Sequence, residues 1–256
     1  LGGFVPGVTL GLALMVISFI IAVRRGYAKE DRFSLKQALT ITKDAILGLF
    51  TAVIIIGGVL SGVFTATESA AIATIYAFII TFFVYREIPL KAFWGILRSS
   101  LHTLAIVMSL IAAAAAFGWL LAYLQVPSKA TELLLTITQN RVLLLLLINV
   151  LLLILGMIMD MAPLILITTP ILFPVVVTEL GMSPVQFGIV MMLNLGIGLC
   201  TPPVGSALFV GCAIGETSIE ETSKALLPFY LTMIVVLLLV TFIPDIVMFV
   251  PSRFMS

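Results

Sequence analysis

The amino-acid sequence predicts an all-α polytopic membrane protein. Hydrophobic residues make up 62% of its 256 residues and charged residues only 10%, whereas an average soluble domain is roughly half apolar and a quarter charged. Several apolar stretches reach the length of about 20 residues that crosses the hydrocarbon core of a bilayer as a helix. Short charged loops separate these stretches, so the chain is expected to cross the membrane several times.

Composition also argues against other classes of protein. The net charge is +1, and no basic stripe with interleaved aromatic residues offers a surface for a phosphate backbone, so nucleic-acid binding is not expected. The two cysteines, Cys200 and Cys212, both lie in apolar segments. We interpret them as small packing residues rather than as a disulfide or a metal site.

The first segment, 1–32, is predicted to contain one membrane span, from about Val8 to Val23, and a cytoplasmic loop that begins at Arg24 and Arg25. The basic residues of this loop place it inside by the positive-inside rule. The next segment, 33–100, begins with an amphipathic stretch at 33–45 that predicts an interfacial helix. Two membrane helices follow, joined at FTATES (64–69).

Within FTATES, Glu68 follows two threonines, Thr65 and Thr67. We favour a structural role, in which one threonine caps a helix and Glu68 lies in its first turn near the positive end of the helix dipole.

The segment 101–214 contains the strongest polar interruptions of apolar sequence. It opens with a span at about 101–124, where His102 is expected at the membrane interface. The stretch 142–181 is interrupted by DMAP (160–163) and by two further prolines, which predicts a re-entrant helical hairpin. The stretch 186–214 is interrupted by TPPVG (201–205), whose prolines and glycine predict a discontinuous helix.

The last segment, 215–256, is predicted to contain a short polar loop and the final membrane span. With this arrangement all lysines and arginines except Lys129, Arg141 and Arg253 fall on the cytoplasmic side, as the positive-inside rule requires. Two full crossings at 142–181 would give the same orientation as the hairpin.

Asp160 is the first candidate for function, because a carboxylate at bilayer depth is costly unless it meets a cation, a proton or water. It could instead cap the helix that follows it, by accepting N–H bonds from the arm that begins at Ala162. Both interpretations stay open, since a capping aspartate can also help to bind a cation.

The second candidate is the break at TPPVG. Unwound carbonyls can coordinate Na⁺, while the N-termini of half-helices favour anionic groups. Gly198 and Thr201 lie at this break, and their oxygens would suit Na⁺ better than a soft metal. Thr201 could equally bond back to its own helix, and Asn194 could simply bond a neighbouring helix.

Five motifs together resemble the large membrane subunit (the DctM-like subunit) of the tripartite ATP-independent periplasmic (TRAP) transporters, specifically its C-terminal half. They extend over nearly the whole chain: GFVPG (3–7), GVFTATESAA (62–71), LGMIMDMAPLILITTPILFP (155–174), FGIVMMLNLGIGLCTPPVG (187–205) and ALLPFY (225–230).

The resemblance implies a Na⁺-driven, elevator-type importer of organic acids in the bacterial inner membrane. It also implies two partners, a smaller membrane subunit and a periplasmic substrate-binding protein. The family's fold consists of inverted repeats, each with a hairpin and a broken helix. The sequence does not begin with Met, so we expect the other repeat to precede Leu1.

By the same resemblance, Gly156 and Asp160 would supply the hairpin side of a sodium site. Gly198, Thr201 and Pro203 would supply its broken-helix side, mostly through backbone oxygens, and no cofactor besides Na⁺ is implied. Substrate is expected near the residues at the two tips, namely Met161, Ala162 and Pro202. The helices of segment 33–100 would form the scaffold, and 101–214 would form the moving transport part.

Three alternatives to this function are kept. A self-sufficient ion-coupled carrier of the dicarboxylate or arsenite kind would share hairpins and broken helices. An intramembrane enzyme is disfavoured, because Asp245 lies beside Pro244 near a helix end and His102 is the only histidine. A passive pore lacks repeated carbonyls or charges for a filter. The transported acid stays open among dicarboxylates, keto acids, sugar acids and sialic acid.

Overall fold

The computed structural model describes residues 1–26, 35–86 and 88–254, and the regular structure in these ranges is helical. This confirms the predicted all-α class. The helices are α1 (Phe4–Arg25), α2 (Leu35–Leu60), α3 (Ala66–Ile79), α4 (Phe93–Tyr123), α5 (Val126–Ile137), α6 (Arg141–Ile158), α7 (Met161–Phe173), α8 (Pro184–Leu199), α9 (Ser206–Gly215), α10 (Ile219–Phe242) and α11 (Pro244–Phe254). Single π-helical stretches extend α3 over Ile80–Tyr85 and α7 over Pro174–Glu179.

Within the described ranges, six helical segments are long and apolar enough to cross a membrane, judged by length and composition. The prediction of a polytopic membrane protein is thereby confirmed. The two arms of the predicted hairpin are among the six, with 18 and 19 residues. Length alone therefore does not distinguish a re-entrant hairpin from two crossings. The six are Phe4–Arg25, Ala66–Tyr85, Leu90–Tyr123, Arg141–Ile158, Met161–Glu179 and Ile219–Phe242.

The chain forms two compact units. The first contains Leu1–Gly26 and the chain from Val107 onward, and here α8 packs against α6, α7 and α10, while α1 packs against α10 and α11. The core of this unit is a cluster of buried aliphatic side chains from α6, α7 and α8, among them Leu144, Leu152, Leu164 and Leu195. The predicted hairpin and broken helix therefore share one core.

The second unit lies within Tyr27–Ile106 and contains the pair formed by α2 and α3. Of the two threonines considered as the cap of α3, Thr65 is the one that caps it. Its hydroxyl oxygen accepts from the Glu68 N–H at 3.3 Å, and the Glu68 carboxylate accepts from the Thr65 N–H at 2.8 Å. This reciprocal capping box satisfies two free N–H groups at the start of the helix.

The structure differs from the expectation for segment 33–100 in one respect. A single helix, α2, contains both the described part of the predicted interfacial stretch and the apolar arm after it; residues 33 and 34 lie outside the described ranges. No proline interrupts 35–60, so the change from polar to apolar sequence does not end the helix. That its first half lies along the membrane surface stays a prediction.

A buried polar network joins α6, α8 and α10 within the first unit. Asn194 donates to the side-chain oxygen of Asn149 at 2.6 Å, and Asn149 donates to the Thr241 hydroxyl at 3.3 Å. Gln186 donates to the carbonyls of Val240 and Thr241, both at 3.0 Å. Most buried polar groups are paired, and these contacts pair all the buried side-chain amides of the network except the oxygen of Asn194, which has no partner among the described residues. The contacts thereby favour one register of the three helices. Asn194 therefore bonds a neighbouring helix, one of the two roles considered for it.

Replacing Asn149 by leucine removes this network at its centre. We expect Asn149→Leu to destabilise the protein by about 1–3 kcal/mol, because buried partners lose their hydrogen bonds. Gln139→Leu is the matched control, since Gln139 is exposed and exposed substitutions usually change stability by less than about 0.5 kcal/mol. Thermal unfolding of the purified variants in detergent measures the difference; equal melting temperatures would contradict the structural role of the network.

Candidate functional site

Both predicted interruptions of apolar sequence are breaks between helices. α6 ends at Ile158 and α7 begins at Met161, so the first break falls at Met159 and Asp160. α8 ends at Leu199 and α9 begins at Ser206, so the second break includes all of TPPVG.

The second break follows directly from the two prolines. In an α-helix a carbonyl accepts from the N–H four residues later, or three residues later in a tighter turn. For Leu199 these residues are Pro203 and Pro202, and neither has an N–H. The Gly198 carbonyl loses its helical donor in the same way and accepts from the Thr201 N–H at 2.9 Å instead. The helix therefore stops here, and the Leu199 carbonyl has no donor among the described residues.

The two breaks meet at a contact between glycines. A Cβ built on Gly198 would lie 2.5 Å from the carbonyl carbon of Gly156, so the two backbones touch with no room for a side chain. Beyond the end of α8, the Val204 N–H donates to the Met157 carbonyl, which follows Gly156, at 3.1 Å. The tip of the predicted hairpin and the opened backbone of the broken helix are thus in direct contact.

The level of these breaks within the unit is shown by α10. The Tyr230 hydroxyl donates to the Cys200 carbonyl at 2.6 Å, and Tyr230 lies near the middle of α10, a 24-residue helix long enough to cross a membrane. The opening at 200–205, and the hairpin tip that touches it, therefore lie beside the middle of α10, beyond the charged residues Glu220, Glu221 and Lys224 of its N-terminal part. That 142–181 turns back inside the membrane stays a prediction.

Two carbonyl oxygens lie close together against the backbone of Gly205. The oxygens of Thr201 and Leu199 lie 2.7 and 2.9 Å from the position that a Cβ would take on Gly205, so only glycine fits there and the two oxygens are close neighbours. Neither oxygen accepts a hydrogen bond from any residue of 1–26, 35–86 or 88–254. Neighbouring carbonyl oxygens without donors are ligands of the kind that a hard cation prefers.

Asp160 lies beside this opening, and its side chain is exposed. Its carboxylate oxygen Oδ1 accepts a hydrogen bond from the Ser206 hydroxyl at 2.8 Å. The carboxylate makes no capping bond to α7, so the capping role considered for it is absent from the structure. The carboxylate is instead held at the first residue of α9, directly after Gly205 in the chain.

The other predicted site residues lie around the same opening. The Thr201 hydroxyl donates to the Ile197 carbonyl of its own helix at 2.7 Å, which is one of the two roles considered for it from the sequence. Its backbone carbonyl oxygen lies close to Gly205. Pro202 is half-buried and Pro203 is exposed. Met161 and Ala162 form the first turn of α7.

Side-chain metal chemistry is not suggested by the described part of the chain. No three histidine, cysteine, aspartate or glutamate residues there come together to hold a metal. The available ligands are backbone carbonyls, one hydroxyl and the Asp160 carboxylate, a set that suits a cation such as Na⁺.

Three residues of the site were missed by reasoning from the sequence: Leu199, Ser206 and Tyr230. For Leu199 a signal was present, because prolines three and four residues later remove both possible donors to its carbonyl. Ser206 and Tyr230 reach the site through tertiary contacts, and no local pattern predicts their partners.

Comparison with known proteins agrees with this architecture. The family model described as "Tripartite ATP-independent periplasmic transporter, DctM component" matches residues 1–246. The chain belongs to this family. It is therefore a multi-pass membrane protein of the TRAP type, which confirms the resemblance drawn from the five motifs.

Three curated relatives illustrate the range of the TRAP family. The chain is 38% identical to the sialic acid TRAP transporter large permease protein SiaM of Vibrio cholerae, over 100% of the chain and 60% of that protein. It is 41% identical to the isethionate TRAP transporter permease protein DctMQ of Oleidesulfovibrio alaskensis, over 97% of the chain and 39% of that protein. It is 37% identical to the C4-dicarboxylate TRAP transporter large permease protein DctM of Rhodobacter capsulatus, over 98% of the chain and 57% of that protein.

The chain thus spans less than two thirds of the length of each of these relatives. All three are named as transporter permeases and not as enzymes.

The glycine contact gives a direct test of the site's packing. We expect Gly198→Ala to destabilise the protein by about 1–3 kcal/mol, the usual range for overpacking, because the new methyl group would clash with the Gly156 backbone. Gly196→Ala is the matched control on the same helix, since a Cβ on Gly196 meets no atom within 4 Å. Thermal unfolding in detergent measures both variants, and a Gly198→Ala protein as stable as the control would show that the helices do not touch here.

Proposed function

We propose that this chain provides the sodium-binding and organic-acid-binding part of a TRAP-type importer. The observation that carries the proposal is the contact between the two helix breaks, which brings unpaired backbone oxygens, a carboxylate and two helix N-termini together. Each of these groups has a separate role in the proposal.

Sodium would be held by the oxygens around Gly205. The Leu199 and Thr201 carbonyls have no donor in the part of the chain that the structure describes and lie close together at Gly205, and Asp160 supplies a nearby negative charge through its contact with Ser206. Gly156 and Gly198 touch each other where the two breaks meet, and Pro203 lies within the second break. Since a charge at bilayer depth needs a partner, a bound cation and Asp160 would stabilise each other.

The anionic substrate would be held at the N-termini of α7 and α9. Residues at a helix start have free N–H groups and lie at the positive end of the helix dipole. Met161 and Ala162 provide such groups on α7, and α9 begins at Ser206, within hydrogen-bonding distance of Asp160. A carboxylate bound near Met161, Ala162 and Pro202 would meet both N-termini and lie close to the sodium ion.

The class of substrate is supported by the names of the relatives. Proteins named for sialic acid, isethionate and C4-dicarboxylate match this chain at 37–41% identity, and all three substrates are organic acids. Because the identities are so similar, they favour no single acid. We therefore propose organic acids as a class.

The family description also supports partners for this chain. The word "tripartite" in it implies two further components, and we propose a small TRAP membrane subunit and a periplasmic substrate-binding protein. Transport would follow an elevator mechanism, in which the hairpin and the broken helix move as one body because they share a core and a backbone contact. The alternative is the self-sufficient carrier described above.

The Asp160 charge can be tested directly. We expect Asp160→Asn in the complete transporter to raise the sodium concentration for half-maximal uptake by roughly 10- to 100-fold, since a unit charge roughly 6–12 Å from the ion contributes about 1.4–2.8 kcal/mol at an effective dielectric constant of about 20. Asp245→Asn is the control, because Asp245 is also exposed but lies at the start of α11. Uptake of radiolabelled succinate and sialic acid into proteoliposomes would measure the effect. An unchanged sodium dependence in Asp160→Asn would remove Asp160 from the site.

Partner dependence distinguishes the proposal from its alternatives. With a sodium gradient, we expect proteoliposomes containing both membrane subunits to take up substrate only when the purified binding protein is added. Uptake without the binding protein would indicate a self-sufficient carrier. Uptake that persists without a sodium gradient would indicate a passive pore.

A further inference from the structure

Tyr230 connects the last long helix to the opened backbone of the broken helix. It belongs to the ALLPFY motif on α10, and its hydroxyl donates to the Cys200 carbonyl at 2.6 Å. The ring is half-buried. This contact lies in the middle of the segment whose neighbouring carbonyls, those of Leu199 and Thr201, face Gly205.

The Cys200 carbonyl needs this hydroxyl because its helical donors are lost. The residue three positions later is Pro203, which has no N–H. The residue four positions later is Val204, whose N–H donates to the Met157 carbonyl across the contact between the two breaks. Tyr230 supplies the hydrogen bond that Cys200 accepts within the described ranges, and an unpaired carbonyl at membrane depth is costly.

The same hydrogen bond is one of three that hold the opened segment. The Cys200 N–H donates to the Ile197 carbonyl at 3.1 Å, and the Thr201 N–H donates to the Gly198 carbonyl at 2.9 Å. Because a peptide group is planar, the first bond orients the group that carries the Leu199 carbonyl, while the second bond and the Tyr230 hydroxyl hold the two edges of the group that carries the Cys200 carbonyl. The peptide group of the Thr201 carbonyl has no N–H, since Pro202 follows it, so its direction depends on the neighbouring group that Tyr230 holds. Without the hydroxyl, that group keeps only one of its two hydrogen bonds, and the Leu199 and Thr201 oxygens are held together less firmly.

We infer that Tyr230 is a positioning residue for the cation site: it does not touch the ion, and it holds the Leu199 and Thr201 carbonyls in place by binding the carbonyl between them. The inference rests on the proposed function, because it assumes that sodium binds at these oxygens.

The test compares two tyrosines that each donate to a backbone carbonyl. Tyr230→Phe removes only the hydroxyl at the site. Tyr76→Phe is the matched control, because the Tyr76 hydroxyl donates to the Leu47 carbonyl at 2.9 Å in the other compact unit. The melting temperature of the purified protein is measured as NaCl replaces choline chloride at constant ionic strength. A ligand that binds only the folded state stabilises it by RT ln(1 + [L]/Kd). Fitting the melting temperature against the sodium concentration with this relation therefore gives the sodium dissociation constant.

We expect the sodium dissociation constant of Tyr230→Phe to rise roughly two- to tenfold, the range for one neutral hydrogen bond, while Tyr76→Phe keeps the wild-type constant. A lower melting temperature in choline with an unchanged constant would overturn the inference, since Tyr230 would then only stabilise the fold. Equal constants in all three proteins would overturn it as well. If sodium does not stabilise the wild-type protein at all, the proposed function itself fails. The constant is independent of the amount of folded protein, so a reduced yield of the variant does not affect the test.

Discussion

The structure depends on how backbone carbonyls without a helical N–H donor find other partners. In a membrane, water cannot satisfy such groups, so they must find partners within the protein or line a site. Pro202 and Pro203 remove the α-helical donors to two successive carbonyls, those of Gly198 and Leu199. The Cys200 carbonyl loses its donor because the Val204 N–H bonds to Met157, and Tyr230 satisfies it instead. The Leu199 carbonyl is left close to Gly205, together with that of Thr201.

The opening can serve a site only if the second break is held against it. That contact requires glycine at position 198, where a Cβ would lie 2.5 Å from the Gly156 carbonyl carbon, whereas a Cβ on Gly156 would lie 3.3 Å from its nearest neighbours. The bond between Asn149 and Asn194 lies on the same pair of helices, one to two turns before the glycines. A polar bond and a close glycine contact on one interface fix both the register and the distance of α6 and α8.

The sequence predicted those parts of the fold that follow from local chemistry. Apolar stretches predicted the membrane helices, and proline, glycine and aspartate within them predicted both breaks. The capping box at Thr65 and Glu68 was also predictable, since it is a pattern of neighbouring residues. The continuity of α2 was missed, because a change from polar to apolar sequence looks like a boundary although no residue there ends a helix.

The remaining parts of the site depend on contacts between distant segments. The bond from Ser206 to Asp160 and the bond from Tyr230 to Cys200 join residues 46 and 30 positions apart, and no spacing rule predicts such pairs. For the same reason, Asp160 was considered as a helix cap, whereas its actual partner lies on another helix. That the two breaks face each other came from the resemblance to the TRAP family, and the backbone contact between Val204 and Met157 confirms it.

The central claim is that the two helix breaks are in contact, and disulfide cross-linking in membranes tests it most directly. With Cys200 and Cys212 replaced by serine, the double variant Met157→Cys with Val204→Cys should form a disulfide on mild oxidation, because the backbones of these residues are hydrogen-bonded and lie within the short range that a disulfide bridges. Pairing Met157→Cys with Ile214→Cys, at the far end of α9, should give no cross-link. Mass spectrometry of the linked peptides would show the bond; its absence in the first pair under conditions that oxidise accessible thiols would contradict the account.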